Sequence, residues 1–454
     1  MDTIAAIATP PFPSAIGILR LSGPEAIGAA AAVFAPDSGR GLETYGNRVL
    51  VYGTLYDREG RPIDRALATV SRGPGSYTGE DTAEIQCHGS PAVLGLGLEA
   101  LFARGVRQAG PGEFTRRAFL NGRLDLTQAE AVADLIDAET PAAVRQAAGQ
   151  LSGALGRRVE EIYGGLTDLM AHFHAVLDYP DEDIDPFTAA TIRDALEGAR
   201  GALKELLATY DRGRFIARGI PCAIVGAPNA GKSSLLNALL GYERAIVTDI
   251  PGTTRDTIEE KVQLGGRLLR LIDTAGLRET DDAVERLGVE RSRAAMEGAA
   301  LILVLWDSSV PAREEDAFLL LRAMATAPTI LVWTKGDLPT HSVPFLNLDP
   351  MPPVVTVSAK TGAGLEELAE TVASLFPAAA GAEGEALSNA RQAEAAGRAL
   401  AAVERAAAAL EAGVTPDALL TDAEEALSAL GELTGRTVRE DVTSRIFERF
   451  CVGK

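Results

Sequence analysis

Apolar residues in the middle of the chain recur at the spacing of long amphipathic helices. Over 155–176 they follow alternating steps of four and three residues, and a second such series covers 192–210. Steps of this size place the apolar side chains on one face of an α-helix. We therefore predict a helical bundle with its core along these faces, and a helix start at Thr127 and Glu130, which have capping-box spacing.

Strand patterns dominate the beginning of the chain. Residues 48–56 and 62–70 alternate apolar and polar positions around a short polar turn, which predicts a β-hairpin. Ser90 and Pro91 then have the order of an N-cap and a first-turn proline at the start of a helix. We expect residues 1–118 to form a domain that mixes strands and helices.

Residues 216–378 alternate short apolar segments with helical stretches, which is typical of a parallel α/β sheet. The predicted strands of this sheet are 222–225, 268–272, 301–305, 330–333 and 354–357. Helical spacing occupies 119–215 and, after a linker-like stretch beyond Pro377, resumes over 400–410 and 427–434. The pattern therefore predicts a multidomain α+β chain in which an α/β domain is inserted into a discontinuous helical domain.

Composition narrows the class of protein. The chain has 454 residues, 46% hydrophobic and 23% charged, which is typical of a folded globular protein of about three domains. Its 43 lysines and arginines against 63 acidic residues give a net charge of −20, which disfavours free-standing nucleic-acid binding. Three widely spaced cysteines, no signal peptide and no membrane-spanning run predict a cytoplasmic protein with reduced thiols.

A phosphate-binding motif gives the strongest chemical prediction. Residues 226–233 match G-x-x-x-x-G-K-S, directly after an apolar strand and before a helix. Main-chain N–H groups of such a loop wrap a phosphate, Lys232 supplies positive charge, and the Ser233 hydroxyl reaches Mg²⁺. We therefore predict a nucleoside triphosphate site.

The remaining motifs follow in the order that a Ras-like GTPase requires. Thr254 offers a hydroxyl to Mg²⁺, and Asp273 to Gly276 supply an acid near that ion and a glycine that senses the γ-phosphate. Asp337 can accept two hydrogen bonds from guanine, an arrangement that adenine does not present, although Thr334 occupies the usual asparagine position. The predicted GTP-binding residues are Asn229, Ala230, Gly231, Lys232, Ser233, Ser234, Thr248, Asp249, Ile250, Pro251, Gly252, Thr253, Thr254, Asp273, Thr274, Ala275, Gly276, Thr334, Lys335, Asp337, Ser358, Ala359 and Lys360.

One position differs from Ras-like enzymes in a way that matters for hydrolysis. Leu277 stands where those enzymes have the glutamine that orients the attacking water, and leucine cannot do so. Asn229, with backbone carbonyls after Thr248, could instead hold a monovalent cation against the phosphates. The alternative is that Asn229 only stabilises the loop conformation.

Several further segments resemble the MnmE (TrmE) family of tRNA-modification GTPases over the whole chain. They are Asp2-Thr3-Ile4, 17–23, 77–81, 112–121, 124–131, 252–256 and the Cys-x-Gly-Lys tail that ends at Lys454. The resemblance implies a homodimer paired through N-terminal folate-binding domains. It also implies a GTPase domain inserted into the helical domain, with boundaries at 1–118, 119–215, 216–378 and 379–454.

The resemblance also implies a reaction. The family works with the FAD-dependent partner MnmG (GidA), in a heterotetramer or larger complex, on the wobble uridine of certain tRNAs. It builds a carboxymethylaminomethyl or aminomethyl group on C5, with 5-formyl- or methylene-tetrahydrofolate as the one-carbon donor. GTP hydrolysis to GDP and phosphate drives the conformational cycle, and the tRNA is expected to be gripped mainly through the partner.

Residue roles follow from the same resemblance. The implied Mg²⁺ ligands are Ser233 and Thr254, and the implied K⁺ ligands are Asn229, Thr248, Ile250 and Thr253. Glu285 would position the catalytic water, whereas on sequence alone it is a solvated helix residue. The implied tetrahydrofolate residues are Arg20, Glu84, Arg123 and Lys454. Cys451 would serve either catalysis or the placement of the tail.

Two other functions are compatible with the nucleotide motifs. A ribosome-assembly GTPase would share the phosphate loop and its asparagine, but such proteins usually carry a basic RNA-binding domain, and the net charge of −20 disfavours one here. A scaffold with a purely structural nucleotide site is disfavoured by the complete set of Mg²⁺ motifs.

Overall fold

The computed structural model describes most of the chain. The described residues are 2–178, 189–242, 260–272, 294–341, 348–377, 384–413, 416–437, 443, 446–448 and 450–453. The chain divides into two compact units. The first unit comprises Met1–Ala133, Gln150–Leu203 and Ala395–Lys454, and the second comprises Asp134–Gly149 and Lys204–Glu394.

The first unit contains a seven-stranded sheet. Its strands are β1 Ile4–Ile7, β2 Ser14–Ser22, β3 Phe34–Pro36, β4 Val51–Tyr56, β5 Pro62–Ser71, β6 Thr82–Gly89 and β7 Arg107–Gln108. Their order is β3-β4-β5-β6-β2-β1-β7, and every pair is antiparallel except β1 with β7. The β4–β5 pair confirms the predicted hairpin. Its first strand begins three residues late because Arg48 has a φ of 62°, which interrupts extended backbone.

One face of this sheet is covered by two helices, α1 Ala26–Val33 and α2 Pro91–Phe102. The second helix begins at Pro91 after Ser90, as predicted. Leu19, Leu21 and Ile85 point into this core. Because successive strand residues point to opposite faces, Arg20 and Glu84 lie on the other face of the sheet.

The other face carries α3 Glu113–Leu120, whose Phe114 packs against Ile4 and Ala6. A second helix, α4 Leu126–Ile136, follows it. The predicted capping box at Thr127 and Glu130 is wrong by two residues. Asp125 accepts a hydrogen bond from Gln128 N at 2.8 Å and Gln128 Oε1 accepts one from Asp125 N at 2.9 Å, so Thr127 already lies inside the helix.

Long helices account for the predicted apolar stripes. The elements are α5 Pro141–Leu151, α6 Ala154–Asp178, α7 Ala189–Ala208, α8 Tyr210–Arg218 and, near the end of the chain, α12 Ala390–Glu411 and α13 Pro416–Thr434. The predicted stripe positions of α6 and α7 whose side chains are described are buried up to Leu206, and α6 packs against α13 in the first unit. The second stripe ends earlier than predicted because α7 stops at Ala208, so Tyr210 begins another helix. None of the described helices is long and apolar enough to cross a membrane.

The second unit contains a six-stranded sheet with helices α9 Lys232–Tyr242, α10 Glu314–Thr326 and α11 Leu365–Leu375. Its strands are β8 Ile220–Gly226, β9 Glu260–Leu264, β10 Arg267–Leu271, β11 Leu301–Asp307, β12 Thr329–Thr334 and β13 Val354–Thr356. Their order is β13-β12-β11-β8-β10-β9. All five predicted strands are present and parallel to one another.

The sheet is not wholly parallel, which corrects the prediction. The edge strand β9 is antiparallel to β10, and the two are joined by Gly265 and Gly266, whose φ angles are 58° and 68°. Positive φ at both turn residues closes a tight hairpin, and glycine adopts it without steric cost. The Gly-Gly pair between alternating segments was the available sequence signal for this strand.

Candidate functional site

The phosphate-binding motif forms a loop at the carboxyl end of β8. The strand ends at Gly226 and α9 begins at Lys232, so the N-terminus of a helix faces the loop. Asn229 and Gly231 have φ angles of 62° and 90°, in the left-handed region that asparagine tolerates better than most residues and glycine adopts freely. The resulting turn directs backbone N–H groups and the positive end of the helix dipole toward an anion.

Lys232 reaches back over this loop. Its Nζ donates hydrogen bonds to the carbonyl oxygens of Gly226 at 2.8 Å and Ala227 at 2.9 Å. Burial lowers the pKa of Lys232, since among the described residues no carboxylate pairs with the ammonium to offset its lost hydration. A phosphate group would supply the missing negative charge.

A threonine links the loop to the base-recognition segment. The buried Thr334, at the end of β12, donates its hydroxyl proton to the carbonyl of Ala230 at 2.7 Å. The carbonyl of Trp306 lies 3.1 Å from the same oxygen. Thr334 therefore replaces the usual asparagine with a shorter side chain that still ties the two loops together.

The carboxylate of Asp337 is exposed but oriented. Ser358 donates a hydrogen bond to Asp337 Oδ1 at 2.8 Å, and this bond lowers the pKa of Asp337. The other oxygen can accept from a purine edge. Lys335 Nζ lies 2.5 Å from Asp307 Oδ2, at the end of β11. Sequence reasoning missed Asp307, although an acidic residue at the end of a buried strand is a usable signal.

The other predicted nucleotide residues fall into two groups. Ser233 and Ser234 are exposed on the first turn of α9, and Ala359 and Lys360 follow the buried Ser358. The remaining predicted residues lie outside the described part of the chain: Thr248, Asp249, Ile250, Pro251, Gly252, Thr253, Thr254, Asp273, Thr274, Ala275, Gly276, Leu277 and Glu285.

A cavity of about 180 Å³ adjoins the loop at Asn229. Its walls include Asp307 and Trp333, but neither Lys232 nor Asp337. The cavity therefore borders the phosphate loop at Asn229 and Ala230 without reaching the two side chains that define the nucleotide cradle, Lys232 and Asp337.

The first unit brings two of the predicted folate residues into contact. Arg20 and Glu84 face each other across β2 and β6, and Arg20 Nε lies 2.8 Å from Glu84 Oε1. Their side chains keep 22% and 28% of their exposure, so the pair is open to a ligand. Arg20 Nη1 also donates a hydrogen bond to the Gly453 carbonyl at 3.1 Å. The end of the chain is thus held beside this ion pair.

Further contacts dock the tail within the same unit. Gly112 N donates to the carbonyl of Cys451 at 3.3 Å, and Pro111 pairs with Val452. The Cys451 side chain is exposed. Its backbone contact supports a structural role for the tail, and Lys454 lies outside the described residues.

Arg123 lies beside the loop that precedes β6. Asn121 Nδ2 donates a hydrogen bond to the carbonyl of Thr78 at 2.7 Å. Arg123 is so close to Gly79 that a β-carbon built onto this glycine would lie 3.3 Å from the Arg123 side chain. In the same loop, Tyr77 Oη is 3.0 Å from Thr115 Oγ1. Sequence reasoning assigned no role to Tyr77, although it lies in one of the family-like segments.

The phosphate loop follows the carboxyl end of β8, and the Asp337 segment follows that of β12, in a mostly parallel sheet. This arrangement defines a P-loop GTPase. Residues 3–123 match the family model described as GTP-binding protein TrmE N-terminus, and residues 126–451 match the MnmE helical domain. The tRNA modification GTPase MnmE of Chloroflexus aurantiacus is 46% identical over 459 residues, covering 100% of both chains. That of Thermus thermophilus is 46% identical over 455 residues, covering 100% of this chain and 99% of its own. The chain belongs to the MnmE family of tRNA modification GTPases, and it is a GTP hydrolase.

Proposed function

We propose that the chain hydrolyses GTP in a potassium-dependent cycle that drives the modification of C5 of the wobble uridine in certain tRNAs. Together with MnmG it would add a carboxymethylaminomethyl or aminomethyl group, using 5-formyl- or methylene-tetrahydrofolate as the one-carbon donor. The proposal rests on the nucleotide cradle, in which hydrogen bonds connect the phosphate loop to the base segment. Lys232 covers the phosphate loop, Thr334 ties that loop to the base segment, and Asp337 presents its second carboxylate oxygen at an exposed position.

The cradle supports specific nucleotide roles. Lys232 and the backbone N–H groups of the loop would neutralise the phosphates, which carry most of the charge that develops during hydrolysis. Asp337 would select guanine, with Thr334, Lys335, Ser358, Ala359 and Lys360 forming the base pocket. Thr248 to Thr254 and Asp273 to Gly276 would complete the contacts to the phosphates.

Two cations would serve the phosphate end. Ser233 is exposed on the first turn of α9, where its hydroxyl suits a hard cation, and it would hold Mg²⁺ with Thr254. Asn229 is also exposed, and with Thr248, Ile250 and Thr253 it would hold K⁺. Mg²⁺ and K⁺ supply positive charge to the phosphate oxygens, and Glu285 would position the attacking water.

The folate donor would bind in the first unit. The partly exposed Arg20–Glu84 pair suits a ligand that carries both carboxylates and hydrogen-bond donors. Arg20, Arg123 and Lys454 would meet the glutamate carboxylates, and Glu84 would meet the amino face of the pterin. This ligand supplies the one-carbon unit when bound.

The assembly we propose is a homodimer paired through its N-terminal domains, bound to MnmG in a heterotetramer or larger complex. The domain boundaries proposed for it are 1–118, 119–215, 216–378 and 379–454. A net charge of −20 supports the idea that tRNA is gripped mainly through MnmG.

Mass analysis of wobble uridines tests this proposal. Cells lacking the protein should lose the modified nucleoside, and the wild-type gene should restore it. A Lys232→Ala variant should fail to restore it, because the phosphate loop loses its cation. An Arg104→Ala variant, at an exposed position outside the nucleotide cradle, should restore it. Intact modification in the deletion strain would contradict the proposal and favour a ribosome-assembly role.

A further inference from the structure

Asp307 and Lys335 form an ion pair at the carboxyl ends of two neighbouring strands. Asp307 is the last residue of β11 and lies opposite Thr334, the last residue of β12, so Lys335 is the first residue beyond the second strand. The Lys335 ammonium lies 2.5 Å from Asp307 Oδ2. The aspartate side chain is 13% exposed and the lysine side chain 37%, so the carboxylate is the more buried member of the pair.

The orientation of Asp307 is fixed by a second set of bonds. Its Oδ1 accepts hydrogen bonds from Ser309 N at 3.0 Å and from Ser309 Oγ at 2.6 Å, while Oδ2 faces the lysine. Burial opposes ionisation of the carboxyl group, but the hydrogen bonds from Lys335 and Ser309 outweigh it and lower the pKa of Asp307. Asp307 therefore offers Lys335 a negative charge at a fixed place.

Lys335 lies between the two residues that define the base end of the nucleotide cradle. Thr334 before it is tied to the phosphate loop, and Asp337 two residues later carries the carboxylate proposed to select guanine. The φ of Lys335 is 59°, in the left-handed region that residues other than glycine rarely adopt. Such a conformation persists where surrounding bonds hold it, and Ser308 bonds the Thr334 carbonyl through its N at 3.1 Å and its Oγ at 2.7 Å.

We propose that Asp307 is a positioning residue for the base pocket, which fixes the Lys335 side chain so that its stem forms a wall against the face of the bound guanine. The stem of a lysine can cover apolar surface while its ammonium stays bonded at the far end. Because Asp307 already holds that ammonium, the side chain loses little freedom when the nucleotide binds, and such preorganisation favours affinity. The inference rests on the proposed nucleotide cradle and assigns Asp307 a role that acts through Lys335.

Dissociation of a fluorescent GDP analogue from the full-length chain, followed by stopped flow, tests this role. Asp307→Ala should lower the affinity by about tenfold, mainly through faster dissociation, since the Lys335 side chain is then free to move. Asp307→Asn keeps the size of the side chain but not its charge, and it should give an intermediate affinity. The loss should be the same for GDP and for inosine diphosphate, because the lysine stem contacts the face of the base whereas Asp337 binds its edge.

A double-mutant cycle separates this role from a general loss of structure. In a Lys335→Met background the ammonium is absent, so Asp307→Ala should change the GDP affinity by less than about twofold. An equal tenfold loss in both backgrounds would overturn the positioning role, since Asp307 would then act by another route. A changed ratio between GDP and inosine diphosphate would overturn it as well.

Asp316→Ala is the matched control for the loss of a carboxylate. Asp316 borders the same cavity as Asp307, but its carboxylate accepts a hydrogen bond from Arg313 N at 3.0 Å, at the start of α10. The GDP affinity of this variant should stay within about twofold of wild type. Wild-type affinity in Asp307→Ala would overturn the inference while leaving the nucleotide cradle in place. A wild-type chain that does not bind GDP would overturn both.

Discussion

The hydroxyl of Thr334 donates a 2.7 Å hydrogen bond to the carbonyl of Ala230, so the base segment is tied directly to the phosphate loop. The two residues belong to β12 and to the loop after β8, and β11 lies between these strands. A nucleotide that bridges the two loops therefore meets a cradle whose two ends are already held at a fixed separation. Such preorganisation reduces the ordering that binding would otherwise require.

Thr334→Val should weaken nucleotide binding. The substitution keeps the shape of the side chain but leaves the Ala230 carbonyl without its donor, at a cost of about 1–3 kcal/mol. We expect the affinity for a fluorescent GDP analogue to fall by about tenfold. Thr329→Val is the matched control, because Thr329 bonds the Ala327 carbonyl at the other end of the same strand. Equal GDP affinities in the two variants would contradict the proposed link.

The sequence predicted the parallel strands of the second unit because each is a short apolar run next to a turn. It missed β9 because Glu260 and Lys261 interrupt the apolar pattern of this edge strand, which needs apolar residues on one face only. The predicted capping box began two residues too late, at Thr127 and not at Asp125. A capping box depends on which residue leaves the helical conformation, and spacing alone does not show this.

The candidate sites also differ in how far the local sequence predicts them. The phosphate loop is a continuous segment, so its residues and its geometry follow from local sequence. The contact between Arg20 and Glu84 depends on the register of two strands 64 residues apart. The family resemblance named both residues, but only the structure shows that they pair, that Thr69 stands opposite, and that Gly453 docks on Arg20.

Asp337→Asn should change the preferred nucleotide from GTP to xanthosine triphosphate. The amide can donate a hydrogen bond where the carboxylate could only accept, so it no longer matches the N1 and N2 donors of guanine. We expect GTP affinity to fall by about 100-fold or more and xanthosine triphosphate to bind better than GTP. Competition of both nucleotides against a fluorescent analogue measures this change. A variant that still prefers GTP would show that another group selects the base.

Arg117 should be essential for the stability of the first unit. Its side chain is 6% exposed and pairs with Asp2, Glu80 and Glu113. Arg117→Met removes the cation that all three carboxylates share, although Asp2 and Glu113 keep Arg107, and breaking comparable buried pairs costs about 3–5 kcal/mol. Thermal unfolding at pH 7 should show a lower transition temperature than wild type. Arg104→Met, at an exposed position, is the control and should change little.

The loss of stability caused by Arg117→Met should also depend on pH. Burial opposes ionisation of Glu113, but hydrogen bonds from Arg107, Gly110 and Arg117 outweigh it and lower the pKa of Glu113. A carboxylate with a lowered pKa in the folded state stabilises the fold above its unfolded pKa, and this contribution is lost as the pH falls through the folded value. The difference between Arg117→Met and wild type should therefore stay constant from pH 7 down to the ordinary glutamate pKa of about 4.3 and shrink as the pH falls further, through the lowered pKa of Glu113. A difference that stays constant over the whole range would show that the ion pairs contribute little and that packing around Arg117 dominates.

Asn229 allows a specific test of the proposed potassium site. Because its φ is 62°, alanine at this position would strain the loop, whereas Asn229→Gly removes the side chain and keeps the backbone conformation. In wild type, GTP turnover should be faster in potassium than in sodium chloride of equal ionic strength by about tenfold or more. Asn229→Gly should abolish this difference while GDP affinity in sodium chloride stays within about threefold of wild type. Equal wild-type turnover in the two salts would exclude the potassium role altogether, whereas a potassium effect that survives Asn229→Gly would assign the side-chain ligand to another residue and leave Asn229 with the conformational role that its left-handed backbone already supports.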